Sequence, residues 1–182
     1  MSEAPLVTRA VKGHNAGVLA CTDVDYREGG AVAACLLFNQ WGDARAAKEL
    51  RAEIDEVASY KPGEFFRREL PCILRVLEGA PAPLEAIVID GYVWLDGASR
   101  PGLGAHLYAA LGEKTSVIGV AKTQFRGAGA FVTVLRGDSK RPLFVTAAGI
   151  PVNTAAALVR AMHGDHRIPT LLRAVDRLCR AP

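Results

Sequence analysis

The run AIVIDGYVWLDG, residues 86–97, decides the fold. Ala86, Ile87, Val88 and Ile89 are apolar without alternation, and Asp90 and Gly91 follow at once. An unbroken apolar run of this kind suits a strand covered on both faces, and Gly91 marks a turn. Asp90 then stands at the C-terminal end of a central strand, the edge at which open α/β sheets place their chemistry. An Asp in that position also serves simply to hydrogen-bond the turn backbone, so the rest of the chain has to decide between the two roles.

Working outward, Val18 to Tyr26 reads as a strand and Ala31 to Phe38 as its hairpin partner, joined through the turn chemistry of Glu28-Gly29-Gly30. Arg45 to Val57 fits two periods. Leu50, Ala52 and Ile54 alternate with charged residues as in a strand, while Ala47, Leu50, Ile54 and Val57 suit a helix; a third strand is the favoured reading. Glu64 to Leu77 is a helix with Phe66, Leu70, Ile73 and Leu77 on one stripe. Leu103 to Leu111 is a short helix, and Val117 to Val120 a second buried strand. Phe131 to Arg136 and Leu143 to Thr146 are further strands, connected through a polar turn at Gly137-Asp138. Asn153 is the expected N-cap of a helix through Met162, and Pro169 opens a last helix through about Leu178. Three meandering strands followed by alternating helices and strands predict an α/β chain: a central mixed β-sheet flanked by helices on both faces.

The 182 residues are half hydrophobic, with no low-complexity tract, repeat or long polar linker, so residues 1–182 are expected to form one domain. No apolar run approaches the roughly 18 residues of a membrane span, and Met1 to Lys12 lacks a signal-peptide pattern. A soluble, cytoplasmic protein with no membrane association is expected. Cys21, Cys35, Cys72 and Cys179 lie far apart among apolar neighbours and read as buried free thiols. His163 and His166 border a Gly-Asp turn and read as surface residues, and no zinc-ligand spacing is present. The formal net charge of +3 permits a polyanionic partner without requiring one.

Four carboxylates stand out by their neighbours. Asp23 lies inside the first strand, and Asp25 shares its face, so spacing does not choose between them. Glu69 falls between Phe66 and Ile73 at the edge of an apolar stripe; Asp90 ends the core strand; Asp176 lies one turn after Leu172, beside a buried face. A carboxylate taken from water needs compensation. Arg67, Arg68, Arg173 and Arg177 offer it to Glu69 and Asp176 as ion pairs. The other compensation is a divalent cation: converging carboxylates repel one another and raise each other's pKa, and oxygen-only ligands favour Mg²⁺, with Mn²⁺ as substitute, over zinc. Two such ions about 4 Å apart would clamp the attacking and leaving oxygens of a phosphodiester.

Read together, these segments resemble the endonuclease V family, from about Gly17 to Arg177 and in the family's order. TDVDY is similar to the first-strand motif and assigns the family's first aspartate to Asp23, not Asp25. YKPGEFFRRE resembles the Pro-Tyr-Ile-Pro-Gly…Arg-Glu segment and puts the second carboxylate on Glu69. VIDG carries the third, Asp90; VIGVAK ends on a lysine, Lys122; RIPTLLRAVD resembles the C-terminal helix motif and ends on Asp176. The resemblance implies a ribonuclease-H-like fold and Mg²⁺-dependent nicking of DNA or RNA near deoxyinosine or inosine, with no obligatory protein partner. It implies Asp23, Glu69, Asp90 and Asp176 as catalytic metal ligands and Lys122 as a phosphate-neutralising cation. His106 matches a family histidine and either contacts phosphate or is a buried, hydrogen-bonded helix residue. Tyr60 and Pro62 would wedge the gap left by a displaced base, and Gly63, Gly91 and Gly102 would let the backbone approach that base; turn geometry alone also accounts for these glycines and prolines.

The sequence departs from the family where its third aspartate is followed by Gly-His-Gly. Here Tyr92 and Val93 stand in place of the His and the second Gly, and Trp94 follows, read as a loop residue that either stacks on a base or anchors the loop. Ser59 and Lys61 replace a Pro and an Ile in the wedge segment. Arg126, Gly127 and Gly129 are candidates for a phosphate-contacting loop. The alternatives to an inosine-directed enzyme are a structure-directed nuclease on the same metal site and a nucleic-acid-binding protein without catalysis.

Overall fold

The computed structural model describes residues 17–59, 61, 63–97, 100–125, 129 and 131–182. Its centre is the strand that the opening run predicts, β4 (Ala86–Asp90), with Ile87, Val88 and Ile89 at most 1% exposed. Burying each such side chain is worth roughly 1.5–3 kcal/mol. On one side lies β1 (Leu19–Arg27), parallel to β4, followed outward by β2 (Gly30–Phe38) and β3 (Lys48–Ile54) in an antiparallel meander. On the other side lie β7 (Ser116–Ala121), parallel to β4, and then the antiparallel strands β9 (Leu143–Ala148) and β8 (Val132–Val134). The seven-stranded order is β3-β2-β1-β4-β7-β9-β8. A separate two-stranded piece, β5 (Trp94–Asp96) with β6 (Arg100–Pro101), follows β4.

Helices cover both faces. On one face the core joins Cys21, Val88, Ile118 and Val145 to residues of α3 (Val152–Ala161) and α4 (Thr170–Arg180). On the other, Ala20, Ile87, Ile89 and Val117 pack against α1 (Phe66–Leu77) and α2 (Leu103–Ala110). The two clusters follow strand parity, because successive side chains point to opposite faces. This is the mixed, doubly covered ribonuclease-H-like sheet expected from the sequence. Residues 45–57 resolve in favour of the strand: Leu50, Ala52 and Ile54 face the α1 side, and edge pairing to β2 outweighs the helical alternative.

Three local readings are corrected. Asn153 does not cap α3; the helix begins at Val152, with Pro151 in the N-cap position and no side-chain cap, its fixed φ being suited to a helix start. The strand expected over 131–136 is confined to Val132–Val134, because Arg136 turns inward. Its guanidinium donates to the carbonyls of Met162, Gly164 and His166 and ties the loop after α3 to the sheet. Trp94 is in β5, not in a loop, and its Nε1–H donates to the Ala147 carbonyl at 3.1 Å. All four cysteines are free and buried, and burial pushes the Cys35 and Cys179 thiols up to about 12, with nearby carboxylates adding at Cys179. Among the described residues no helix is long and apolar enough to cross a membrane.

Candidate metal centre and adjoining cavity

Register brings the first two carboxylates together. Thr22 of β1 is level with Ile89 of β4, so one residue further along these parallel strands Asp23 is level with Asp90. Asp90 is in turn level with Val120 of β7, two residues before Lys122. Asp90 thus ends β4, Lys122 follows the end of β7, and Asp23 stands in the middle of β1 just past the last residue paired to β4, so the three candidate side chains meet at the edge that open α/β sheets use for ligands. Parity puts them on one face. Asp23 follows Leu19 and Cys21, Asp90 follows Ala86 and Val88, and Lys122 follows Ile118 and Val120, all facing α3 and α4. α4 supplies Asp176 from that side, while its Leu172 and Val175 wall a small cavity with Thr22, Asp23, Asp90 and Lys122. The cavity measures about 20 Å³, room for one water-sized body.

Glu69 reaches the same rim from the opposite face, on α1. It is 5% exposed and, among the described residues, has no ion-pair partner. The candidate arginines are otherwise engaged: Arg67 pairs with Glu64 at 2.7 Å, and the Arg68 guanidinium lies 4.2 Å over the Tyr26 ring. Burial, then the charges of Asp23 and Asp90, push the Glu69 carboxyl up to about 8. Asp23 is pushed up to about 6, chiefly by burial, with the Asp90 and Asp176 charges adding and the Val24 N–H and Lys122 opposing. Lys122 donates to Asp90 Oδ2 at 2.6 Å. Burial alone would lower the Lys122 pKa, but that hydrogen bond and the charges of Asp90, Asp23 and Asp176 leave it above its ordinary value. Asp176 pairs with Arg180 at 3.1 Å, one turn along α4, and not with Arg173 or Arg177. Asp25, which spacing alone could not separate from Asp23, is engaged by Arg27 at 3.3 Å.

The four carboxylates therefore share one electrostatic neighbourhood. Among the described residues, however, no three His, Cys, Asp or Glu side chains converge closely enough to hold an ion as they stand. The Lys122 ammonium supplies the positive charge at Asp90. The donor set nevertheless fits a hard divalent cation: it is all oxygen, and Glu69 is buried without a counter-charge.

A larger cavity of about 280 Å³ adjoins this centre, and Asp90 lines both. Its walls include Gly63, Phe65, Phe66, Gly91, Tyr92, Arg100, Gly102 and Phe125. Phe65 and Phe125 are exposed at 45% and 39%, large apolar surface facing solvent at the cavity. Gly63 and Gly91 have φ of 81° and 120°, a region that favours glycine. Gly102 is required by packing instead, since a Cβ there would stand 2.6 Å from the Tyr92 carbonyl oxygen. His106 stacks on Phe66, ring centroids 3.7 Å apart, behind the cavity wall; burial and then Arg67 lower its pKa. Tyr60, Pro62, Arg126 and Gly127 lie outside the described residues. Sequence reasoning missed Phe65 and Phe125 because nothing in their spacing distinguishes them from core residues. The Phe65-Phe66 pair, one apolar residue more than the helix stripe needs, was the available signal.

No curated protein matches the chain. Among solved structures, endonuclease V from Streptomyces avermitilis is 27% identical with a TM-score of 0.71, over 90% of this chain and 80% of that one. A Ciona intestinalis endonuclease V, solved with a 24mer DNA containing an inosine followed by a ribo-adenosine, is 19% identical with a TM-score of 0.75, over 90% and 84%. Human ENDOV is 19% identical with a TM-score of 0.73, over 90% and 83%; these last two likenesses speak to the fold. The family model described as Endonuclease V matches residues 4–139, a span that holds Asp23, Glu69, Asp90, His106 and Lys122 and stops short of Asp176. That match, over most of the chain and joined to the observed sheet, establishes that the chain belongs to the endonuclease V family.

Proposed function

We propose that this protein is a divalent-cation-dependent endonuclease that hydrolyses a phosphodiester beside a deaminated base, deoxyinosine in DNA or inosine in RNA. The observation that carries the reading is the meeting of Asp23 and Asp90 in one small cavity at the rim of the sheet, with a base-sized cavity opening from the same Asp90. Asp23 and Asp90 would hold Mg²⁺ or Mn²⁺, with Glu69 and Asp176 completing the set directly or through water. Such an ion supplies Lewis-acid activation of a water and neutralises charge on the phosphoryl oxygens.

The chain's own groups do the rest. Lys122, exposed at the strand end and fixed on Asp90, offers its ammonium to charge developing on the phosphate. The cavity receives a base that has left the stack, with Phe65 and Phe125 as apolar faces for stacking and Gly91 giving its backbone close approach. Arg100 at the rim adds a cation for the strand. Tyr60 and Pro62 would wedge the vacated position, and His106 would act through the wall it supports.

The test is a cleavage panel of inosine-containing and plain DNA and RNA oligonucleotides, with and without Mg²⁺. Metal-dependent nicking confined to inosine strands is the expected result, and a protein that leaves all of them intact with either Mg²⁺ or Mn²⁺ removes the reading. A second reading, a structure-directed nuclease, is favoured by Tyr92 and Val93 standing where the family has His and Gly. Equal cleavage of branched or mismatched strands lacking inosine selects it.

A further inference from the structure

We infer that Tyr92 is a positioning residue whose hydroxyl braces the loop after β7 and so holds Lys122 against Asp90. The inference rests on the nuclease reading above. The Tyr92 ring is buried, packed with Ala121 and Phe144. Its hydroxyl donates to the Thr123 carbonyl at 2.9 Å and accepts from the Phe125 N–H at 3.1 Å. Donor and acceptor are both spent on one short loop, whose residues 122–125 are otherwise exposed.

The brace itself stands on fixed ground. The Gly91 N–H donates to the Val120 carbonyl, the Val93 N–H to Thr146 Oγ1 at 2.8 Å, and Trp94 Nε1 to the Ala147 carbonyl. From the far side, the Arg167 guanidinium donates to the carbonyls of Lys122 and Pro142. The loop backbone is therefore held at 122 by Arg167 and at 123 and 125 by Tyr92, while the Lys122 side chain projects to Asp90 at 2.6 Å.

Packing alone does not account for the hydroxyl. A phenylalanine would fill the same volume but would release the Thr123 carbonyl and the Phe125 N–H, which belong to exposed residues. What the hydroxyl adds is loop geometry, and with it the place of the ammonium. Misplacement of a catalytic group by about 1 Å costs on the order of a hundredfold in rate.

The test is Tyr92→Phe in the full chain, assayed with Mg²⁺ on the oligonucleotide that the wild type cuts best. Loss of two ordinary hydrogen bonds to the loop predicts a kcat lower by about tenfold, with KM changed by less and the folded state retained. The same substitution in a Lys122→Met background has little further effect, because both act through one ammonium. Independently of activity, the Phe125 amide exchanges its hydrogen faster in Tyr92→Phe. An unchanged kcat, an undiminished loss in the Lys122→Met background, or an unchanged Phe125 amide overturns the inference. Failure of the nuclease reading is separately visible, since the wild type itself then cuts nothing, and the catalytic role of the brace falls with it.

Discussion

Asp90 is the residue on which both cavities and the lysine converge. It accepts from Lys122 at 2.6 Å and lies level with Asp23 across a parallel strand pair. Its replacement by alanine removes one carboxylate from the proposed cation site and the partner of Lys122 at once. Transition-state charge stabilisation by a bound metal is worth several kcal/mol, so Asp90→Ala is expected to slow cleavage by about a thousandfold or more without unfolding the chain. Single-turnover gel assays measure this, and a loss smaller than tenfold would count against Asp90 as a metal ligand. Phe65 and Phe125 show the opposite case, where a residue's place at a cavity comes only from what surrounds it.

Strands set the site because parity and register are rigid. A residue's face follows from its count along the strand, and its level follows from the pairing. That is how Asp23, Asp90 and Lys122, scattered along the chain, come to leave one face at one edge. Glu69, on a helix across the sheet, has no such constraint and arrives from the other side. The packing of the segment after β4 is equally tight. At Gly119 of β7, a Cβ would stand 2.6 Å from the Gly91 carbonyl oxygen, 2.8 Å from Thr146 Oγ1 and 2.9 Å from the Val93 nitrogen. Gly119→Ala is therefore expected to destabilise the fold by about 1–3 kcal/mol and to displace the Tyr92 segment. Denaturant unfolding gives the first quantity, and the cleavage rate the second. A fully stable variant would show that the segment after β4 and Thr146 of β9 yield more easily than their spacing implies.

Across the whole molecule the carboxylate rim couples stability to pH. The Asp23 and Glu69 carboxyls are raised from 3.8 to about 6 and from 4.5 to about 8, by burial first and then by their neighbours. The folded chain therefore binds protons more tightly than the unfolded one. The stability these groups contribute is fully present below about pH 4 and is lost as pH rises through 6 and then 8. Metal-free protein is expected to melt at progressively lower temperature between about pH 5 and pH 8.5, with Glu69→Gln flattening the upper part of that decline. Added Mg²⁺ competes with those protons, so it should raise the melting temperature more at pH 8 than at pH 6. Calorimetry with Mg²⁺ and with a chelator measures both effects. A Mg²⁺ increment independent of pH would remove Glu69 from the cation site.

The sequence by itself determined the sheet's central strand, because an unbroken apolar run ending in Asp-Gly has few other uses, and the helices whose stripes repeat at 3.6 residues. Neighbouring residues also drew attention to Glu69, Asp90, Asp176 and the Asp23/Asp25 pair, while the family resemblance added Lys122. Only the tertiary structure decided between strand and helix at 48–54, where β2 supplies the pairing that local periodicity lacks. It engaged Asp25, which spacing left equivalent to Asp23, with Arg27, and it left Glu69 without the arginine that its neighbours in the chain promised. The reason is common to all of these. Periodicity and turn chemistry are properties of neighbours in the chain, whereas charge compensation, register and cavity walls are set by residues that meet only once the sheet has closed.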